Sequence, residues 1–263
     1  MMMLQDVLKL DFAYLETFTE RIETKWGSIF CNEDHPNYYD ANHAHLSDTC
    51  HDPQLIVDEV INFYESRAII PRFYIYNLEN QQNIISELKE RDFMYEELMS
   101  PVQLWDNRVI EIVNNNSITI ERVTEENYQE ALEIESSIKE FGGMEIIENV
   151  YKEQFNHPAF THYLLRYDGV ACSTACVFED GDQARMESVA TIEEFRGKGL
   201  IGVIIQFIQR EVMNRGIENL WVFPINESIE KVYNKYGFQT VDKIKNAHAY
   251  LGGKGIKEIR GEE

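Results

Sequence analysis

The chain has 263 residues, 44% of them hydrophobic and 12% aromatic, which is enough for a real core in one large domain or two modest ones. Its formal net charge is −22 and the acidic excess falls in both halves, so no basic face is offered to nucleic acid or to anionic lipid. No apolar run has membrane-spanning length, the N-terminus lacks the basic region and apolar core of a signal peptide, and four cysteines make no disulfide framework; a reduced, cytoplasmic protein is expected. The acidity itself reads as solubility, or as attraction of a cationic amine.

Leu4 to Arg21 carries apolar residues at helical spacing and reads as a helix. Lys25 to Ser47 is polar, aromatic and turn-rich, and reads as irregular strands and loops. A helix over Pro53 to Ser66 places Ile56, Val60, Ile61 and Tyr64 on one side. Pro71 to Tyr76 is a strand, Gln81 to Arg91 a helix, and Phe93 to Trp105 one or two strands. Four of the seven histidines fall between 35 and 51. His35, His43, His45 and His51, with Cys31 and Cys50, invite a metal reading, because imidazole and thiolate are good zinc ligands. The spacing fits no compact finger and no Cys-x-x-Cys occurs, so no metal is expected. These residues then shape a loop or line a pocket.

Asn114 to Ser117 is polar and turn-forming, and reads as a link. Ser117 to Thr124 is a strand and Glu125 to Glu140 a helix, with Thr124 as its N-cap. Phe141-Gly142-Gly143 breaks it, and a short helix follows around Glu145 to Phe155. Thr161 to Tyr167, Asp168-Gly169 and Val170 to Phe178 form a hairpin with an Asp-Gly turn. Cys172 and Cys176, an even number apart in a strand, are expected to share a face as core thiols.

An apolar, β-favouring run from Met186 to Ile192 leads through Glu193-Glu194 to Arg196-Gly197-Lys198-Gly199, and a helical run follows from Leu200 to Met213. Strand, glycine turn and helix present free backbone N–H groups at a helix N-terminus, which is a phosphate site. The P-loop is excluded, because Lys198 is followed by Gly199 and has no glycine five residues before it. Gly197, Gly199 and Gly202 fit the dinucleotide spacing, yet Glu218 precedes the strand Leu220 to Phe223 instead of ending it. A second pattern follows: Asn226-Glu-Ser-Ile229-Glu-Lys-Val232-Tyr233-Asn-Lys-Tyr-Gly237-Phe238.

Arg196 to Ile201 resembles the Arg/Gln-x-x-Gly-x-Gly/Ala loop of the GNAT superfamily of acyl-CoA-dependent N-acyltransferases. Asn226 to Phe238 is similar to that family's Asn-x-x-Ala-x-x-Leu-Tyr-x-x-x-Gly-Phe. The resemblance covers about the last 145 residues, with Ile201 where the family has Gly or Ala and Ile229 where it usually has Ala. It implies an α/β (α+β) fold, with a mixed, mainly antiparallel twisted sheet flanked by helices. Strand 71–76, helix 81–91 and Asp92-Phe93 mirror strand 220–223, helix 226–236 and Gly237-Phe238, with Leu88 at the position of Tyr233. The expectation is a tandem: a degenerate GNAT-like unit over residues 1–114, without its loop, and an intact one over 117–263.

The resemblance implies an N-acetyltransferase that moves an acetyl group directly from acetyl-CoA to a primary amine of a small molecule or peptide. The backbone of Gly197, Lys198, Gly199, Leu200, Ile201 and Gly202 would hold the pyrophosphate, with charge from Arg196 and Lys198. Val189, Ala190 and Thr191 would pair with the pantetheine arm like an added strand, and Asn226 would contact the same arm. Tyr233 would donate a proton to the departing sulfur, or simply fill the core. Glu187 would accept the amine proton, or face solvent as an ordinary strand residue. Phe141, Glu140, Glu145 and Glu148 would border the acceptor pocket. A non-catalytic acyl-CoA-binding module that keeps the fold is the alternative, and homodimerisation is left open.

Overall fold

The computed structural model describes residues 2–46, 51–112, 115–138 and 144–260. Two compact units result. The first contains residues 1–100 and 244–263, the second residues 101–243. The division expected from sequence, 1–114 against 117–263, follows the chain; the compact units do not. Two long strands cause the difference. β5 (Met94–Trp105) leaves the first unit at residue 100, and β11 (Phe238–Tyr250) leaves the second at residue 243.

The first unit begins with helix α1 (Met2–Leu15). The expected helix over Leu4 to Arg21 ends early, because Thr17 and Phe18 turn back onto Tyr14 and Leu15 and Arg21 already lies in strand β1 (Glu20–Glu23). Strands β2 (Ser28–Cys31), β3 (His43–Leu46) and β4 (Arg72–Ile75) follow, with helix α2 (Pro53–Glu65) between β3 and β4. Proline at its first turn and the Asp52 cap set the start of α2, and Ile56, Val57, Val60 and Tyr64 form its buried stripe. Helix α3 (Gln82–Glu90) follows β4. β1 to β3 pair antiparallel, β3 and β4 parallel, and β4 pairs antiparallel with Ala247–Tyr250 of β11. The short helix α8 (Ile256–Arg260) ends the unit.

The second unit repeats this scheme. It contains β6 (Ile118–Arg122), α4 (Tyr128–Ser136), α5 (Met144–Asn156), β7 (Phe160–Tyr167), β8 (Val170–Asp180), β9 (Gln183–Thr191), α6 (Leu200–Asn214), β10 (Asn219–Val222) and α7 (Glu227–Asn234). β6 to β9 pair antiparallel, β9 and β10 parallel, and β10 pairs antiparallel with Gln103 and Leu104 of β5. In both units a parallel step joins the strands on either side of a helix, α2 or α6. α6 is held to its sheet by Leu200, Ile204, Ile205, Ile208 and Val212. Fully burying one such side chain is worth roughly 1.5–3 kcal/mol.

Three local expectations change. α4 starts after Asn127, not Thr124, because the Thr124 amide is held by Asn127 Oδ1 at 2.7 Å. Asp168 and Gly169 both take positive φ, as the Asp-Gly hairpin requires. Cys172 and Cys176 do not share a face. A register shift between Leu165 and Arg166 leaves Cys172 without a β7 partner, so Cys172 joins the α6 side while Cys176 reaches His162 on the other. Both thiols are buried.

Candidate active site

β9 carries the geometry that opens the site. Cys176 pairs with Glu187 and Thr174 with Ala190, so Ser188 and Val189 together face Ala175. This is a β-bulge, and Ser188 takes φ +50° within it. The other edge of β9 meets β10 only at Gln183, Ala184 and Arg185. From Met186 to Thr191 that edge has no strand beside it among the described residues. Ala190 C=O accepts from Ser173 Oγ at 2.5 Å and the Ile192 amide donates to Cys172 C=O, both toward β8. Backbone groups alternate along a strand, so Val189 and Thr191 present theirs to the open edge. Of the three residues expected to pair with pantetheine, Ala190 therefore faces the wrong way.

Beyond β9 a short 3₁₀ turn, Glu193–Phe195, leads to Gly197 and Gly199, both at φ +77°. A Cβ added at either would meet nothing within 4 Å among the described residues, so glycine serves the left-handed backbone there and not close packing. The amides of Gly197, Lys198, Gly199, Leu200 and Ile201 donate to no acceptor among the described residues. They lie at and just before the positive end of α6. Ile201 turns its side chain onto the α6 core, so it leaves its amide clear. Gly202 is different. Its amide donates to Gly199 C=O at 3.1 Å, and a Cβ would lie 2.4 Å from the Tyr236 ring. It is glycine because Tyr236 packs on it, and it drops out of the expected phosphate cradle.

Lys198 is exposed, its Nζ 4.4 Å from the Phe195 ring and 4.9 Å from that of Tyr167. Arg196 donates from Nε to Thr191 C=O at 3.1 Å, which braces the end of β9 and leaves its terminal nitrogens for an anion. Asn226 caps α7, accepting the Ile229 amide on Oδ1 at 3.0 Å. Asn226 is exposed, and its Nδ2 remains to meet a ligand.

Glu187 lies near enough to Tyr233 for its charge to act on the hydroxyl. Tyr233 is buried against Phe238, with ring centroids 5.5 Å apart. Burial holds its hydroxyl proton well above the ordinary tyrosine range, and the Glu187 charge adds to this. Glu187 is half-buried and hydrogen-bonded by Arg185 Nε. Sequence reasoning did not single out Glu135. This α4 carboxyl is 3% exposed, lies 4.0 Å from His162 Nδ1, and accepts a hydrogen bond from the Ser188 side chain. Its signal was an acid at helical spacing from Tyr128, Ala131 and Ile138 on an apolar face. Glu148 is exposed on α5, whereas Glu140, Phe141 and the Glu145 side chain lie outside the described residues.

The first unit has the same frame without these openings. β3 and β4 stay paired through Leu46 and Ile75, and the Tyr76 amide continues to Leu46 C=O at 2.7 Å. The N-terminus of α2 holds the Asp52 carboxylate, which accepts the Leu55 amide at 3.2 Å. An acid stands where an anion would bind. The histidines there are buried in aromatic stacks: His43 between Phe30 and Tyr74, His45 on Tyr76. Cys50 lies outside the described residues.

Residues 125–238 match the model of the acetyltransferase (GNAT) family. Over 94 residues the chain is 29% identical to a histidine N-acetyltransferase of Oreochromis niloticus, a stretch covering 35% of this chain and 27% of that protein. The chain thus matches about a quarter of that relative's length. A GCN5-related N-acetyltransferase from Kribbella flavida has a similar fold over 95% of both chains, with a TM-score of 0.71 and 14% identity. A tandem GNAT protein from the clavulanic acid biosynthesis pathway is similar over 81% of this chain and 76% of its own, with a TM-score of 0.54 and 10% identity.

Proposed function

We propose that this chain, whose residues 125–238 belong to the GNAT acetyltransferase family, is an N-acetyltransferase that uses acetyl-CoA to acetylate a primary amine of a small molecule or peptide. One observation carries the reading. The open edge of β9 runs directly into a loop with two left-handed glycines, Gly197 and Gly199, and five amides at the start of α6 that are unengaged among the described residues. An extended arm ending in a pyrophosphate fits that combination of strand edge and anion cradle. The same fit fails in the first unit, where the strand edge is closed and Asp52 holds the helix end.

Bound acetyl-CoA would supply an acyl thioester. The amides of Gly197 to Ile201 would hold its phosphates, with Lys198 and Arg196 adding charge. Val189 and Thr191 would align the arm along β9. Tyr233 keeps its proton and would give it to the leaving sulfur. Glu187 would take the amine proton, directly or through water; its bond from Arg185 holds it in place and engages one of its two oxygens. That bond also favours the second reading, an acyl-CoA-binding module without transfer.

Release of free thiol from acetyl-CoA, measured across a panel of amines, separates the two. The relative named for histidine puts free α-amino acids, histidine among them, in the panel beside diamines and peptide N-termini. Amine-dependent thiol release supports the enzyme. Binding of acetyl-CoA with no release across the panel supports the module.

A further inference from the structure

Ser188 is a non-glycine residue at φ +50°, a conformation that L side chains rarely adopt. It exists because Ser188 and Val189 share the single partner Ala175. A regular ladder beyond the Cys176–Glu187 pair would place Ser188 opposite Ala175 and Val189 opposite Thr174. That slip would turn the Val189 N–H and C=O toward β8 and close the open edge. Some contact must hold the bulge against it. Ser173 contributes, since its Oγ lies 2.8 Å from Thr191 Oγ1 and bonds Ala190 C=O. The contact made by the strained residue itself is with Glu135, whose carboxyl accepts from the Ser188 side chain.

Glu135 is poorly explained otherwise. It is a carboxyl 3% exposed among Ala131, Leu132, Ile134 and Ile138, with no cation paired to it among the described residues. Among the described residues its Oε1 makes no hydrogen bond, and His162 Nδ1, 4.0 Å away, makes none either. His162 Nε2 is tied to Cys176 Sγ at 3.5 Å, and Cys176 is the residue in register with Glu187. The carboxyl thus sits over the point where β9 departs from its ladder. Carboxylic acid and carboxylate both keep an acceptor oxygen for Ser188.

We propose that Glu135 is a positioning residue which, through Ser188, holds the β9 bulge open and keeps the Val189 backbone free for the acyl donor. The last clause rests on the acetyl-CoA reading above; the bulge does not.

Two readouts test this in the full chain. The first is amide hydrogen exchange at Val189 without ligand. The second is acetyl-CoA affinity by calorimetry. Glu135→Leu, confirmed as folded by circular dichroism, is expected to slow exchange at Val189 and to weaken acetyl-CoA about tenfold or more, the scale expected of misplaced positioning groups. Glu135→Gln keeps an acceptor and should behave as wild type. Ser188→Gly needs no support at positive φ, so adding it to Glu135→Leu should restore both readouts. Ser188→Val, with Glu135 intact, should reproduce the loss and covers the case in which Glu135→Leu does not fold. Unchanged exchange at Val189 in both Glu135→Leu and Ser188→Val overturns the proposal, as does a loss that Ser188→Gly fails to rescue. Failure of the wild type to bind acetyl-CoA would instead remove the donor reading, and the exchange experiment would still decide the role of Glu135.

Discussion

Asp92 and Gly237 make the same turn in the two halves of the chain. Asp92 has φ +61° and Gly237 φ +84°, and each leads into a buried phenylalanine, Phe93 or Phe238. Each turn opens a strand that the other half needs. Residues 101–105 of β5 complete the second unit, where Trp105 is 2% exposed in the core. Residues 247–250 of β11 pair with β4 in the first.

The two halves should therefore not fold separately. A fragment of residues 117–263 lacks Trp105 and the β5 partner of β10. It is expected to show no cooperative thermal transition, and mixing with residues 1–116 should restore one. A cooperative transition of 117–263 alone, at the melting temperature of the whole chain, would refute the exchange of strands.

Tyr233→Phe removes one hydroxyl and leaves the packing on Phe238. Turnover should fall by more than about tenfold with little change in acetyl-CoA affinity, as expected when only a transition-state proton donor is lost. Equal turnover in steady-state assays would leave Tyr233 as a core residue only.

The glycines separate by cause. Gly199→Ala meets open space at φ +77°, so denaturant melts should show a loss of about 1–2 kcal/mol from the left-handed backbone alone. Gly202→Ala drives a methyl to 2.4 Å from Tyr236, and should cost about 1–3 kcal/mol while leaving the free amides in place. Tyr236→Ala should relieve the second substitution and not the first.

Burial pushes the Glu135 carboxyl up to about 8. From pH 5 to 8 the folded chain holds a proton that the unfolded chain has released, so stability falls as pH rises through that window. His162 and His248, pushed down to about 4, and His45, pushed down to about 3, act oppositely, and only below about pH 6.5. Between pH 6.5 and 8 the wild type should lose on the order of 1–2 kcal/mol relative to Glu135→Gln. Parallel pH profiles in denaturant melts would show that Glu135 ionises normally.

The loop and the α7 pattern were legible because they encode backbone. Gly197, Gly199 and Gly237 stand where φ is positive, and Asn226 where a helix needs a cap. The repeat was legible for the same reason, through Asp92-Phe93 and Gly237-Phe238. The exchange of β5 and β11 was not, because a strand's alternation says nothing about which distant strand it joins. The histidines of β3 read as candidate ligands because sequence does not show that Phe30, Tyr74 and Tyr76 stack on them. Glu135 was hidden as one acid within an apolar helix face, and Gly202 was assigned to the anion because Tyr236 lies far along the chain.

The most direct test is calorimetric titration of the whole chain with acetyl-CoA, with desulfo-CoA and ATP as controls and Gly199→Glu as the variant. Affinity on the order of micromolar for acetyl-CoA, lost when a carboxylate is placed at the amide cradle, is the result expected. Folded protein that takes up no acetyl-CoA, or binds it equally well with Glu at position 199, would contradict the site described at β9 and α6.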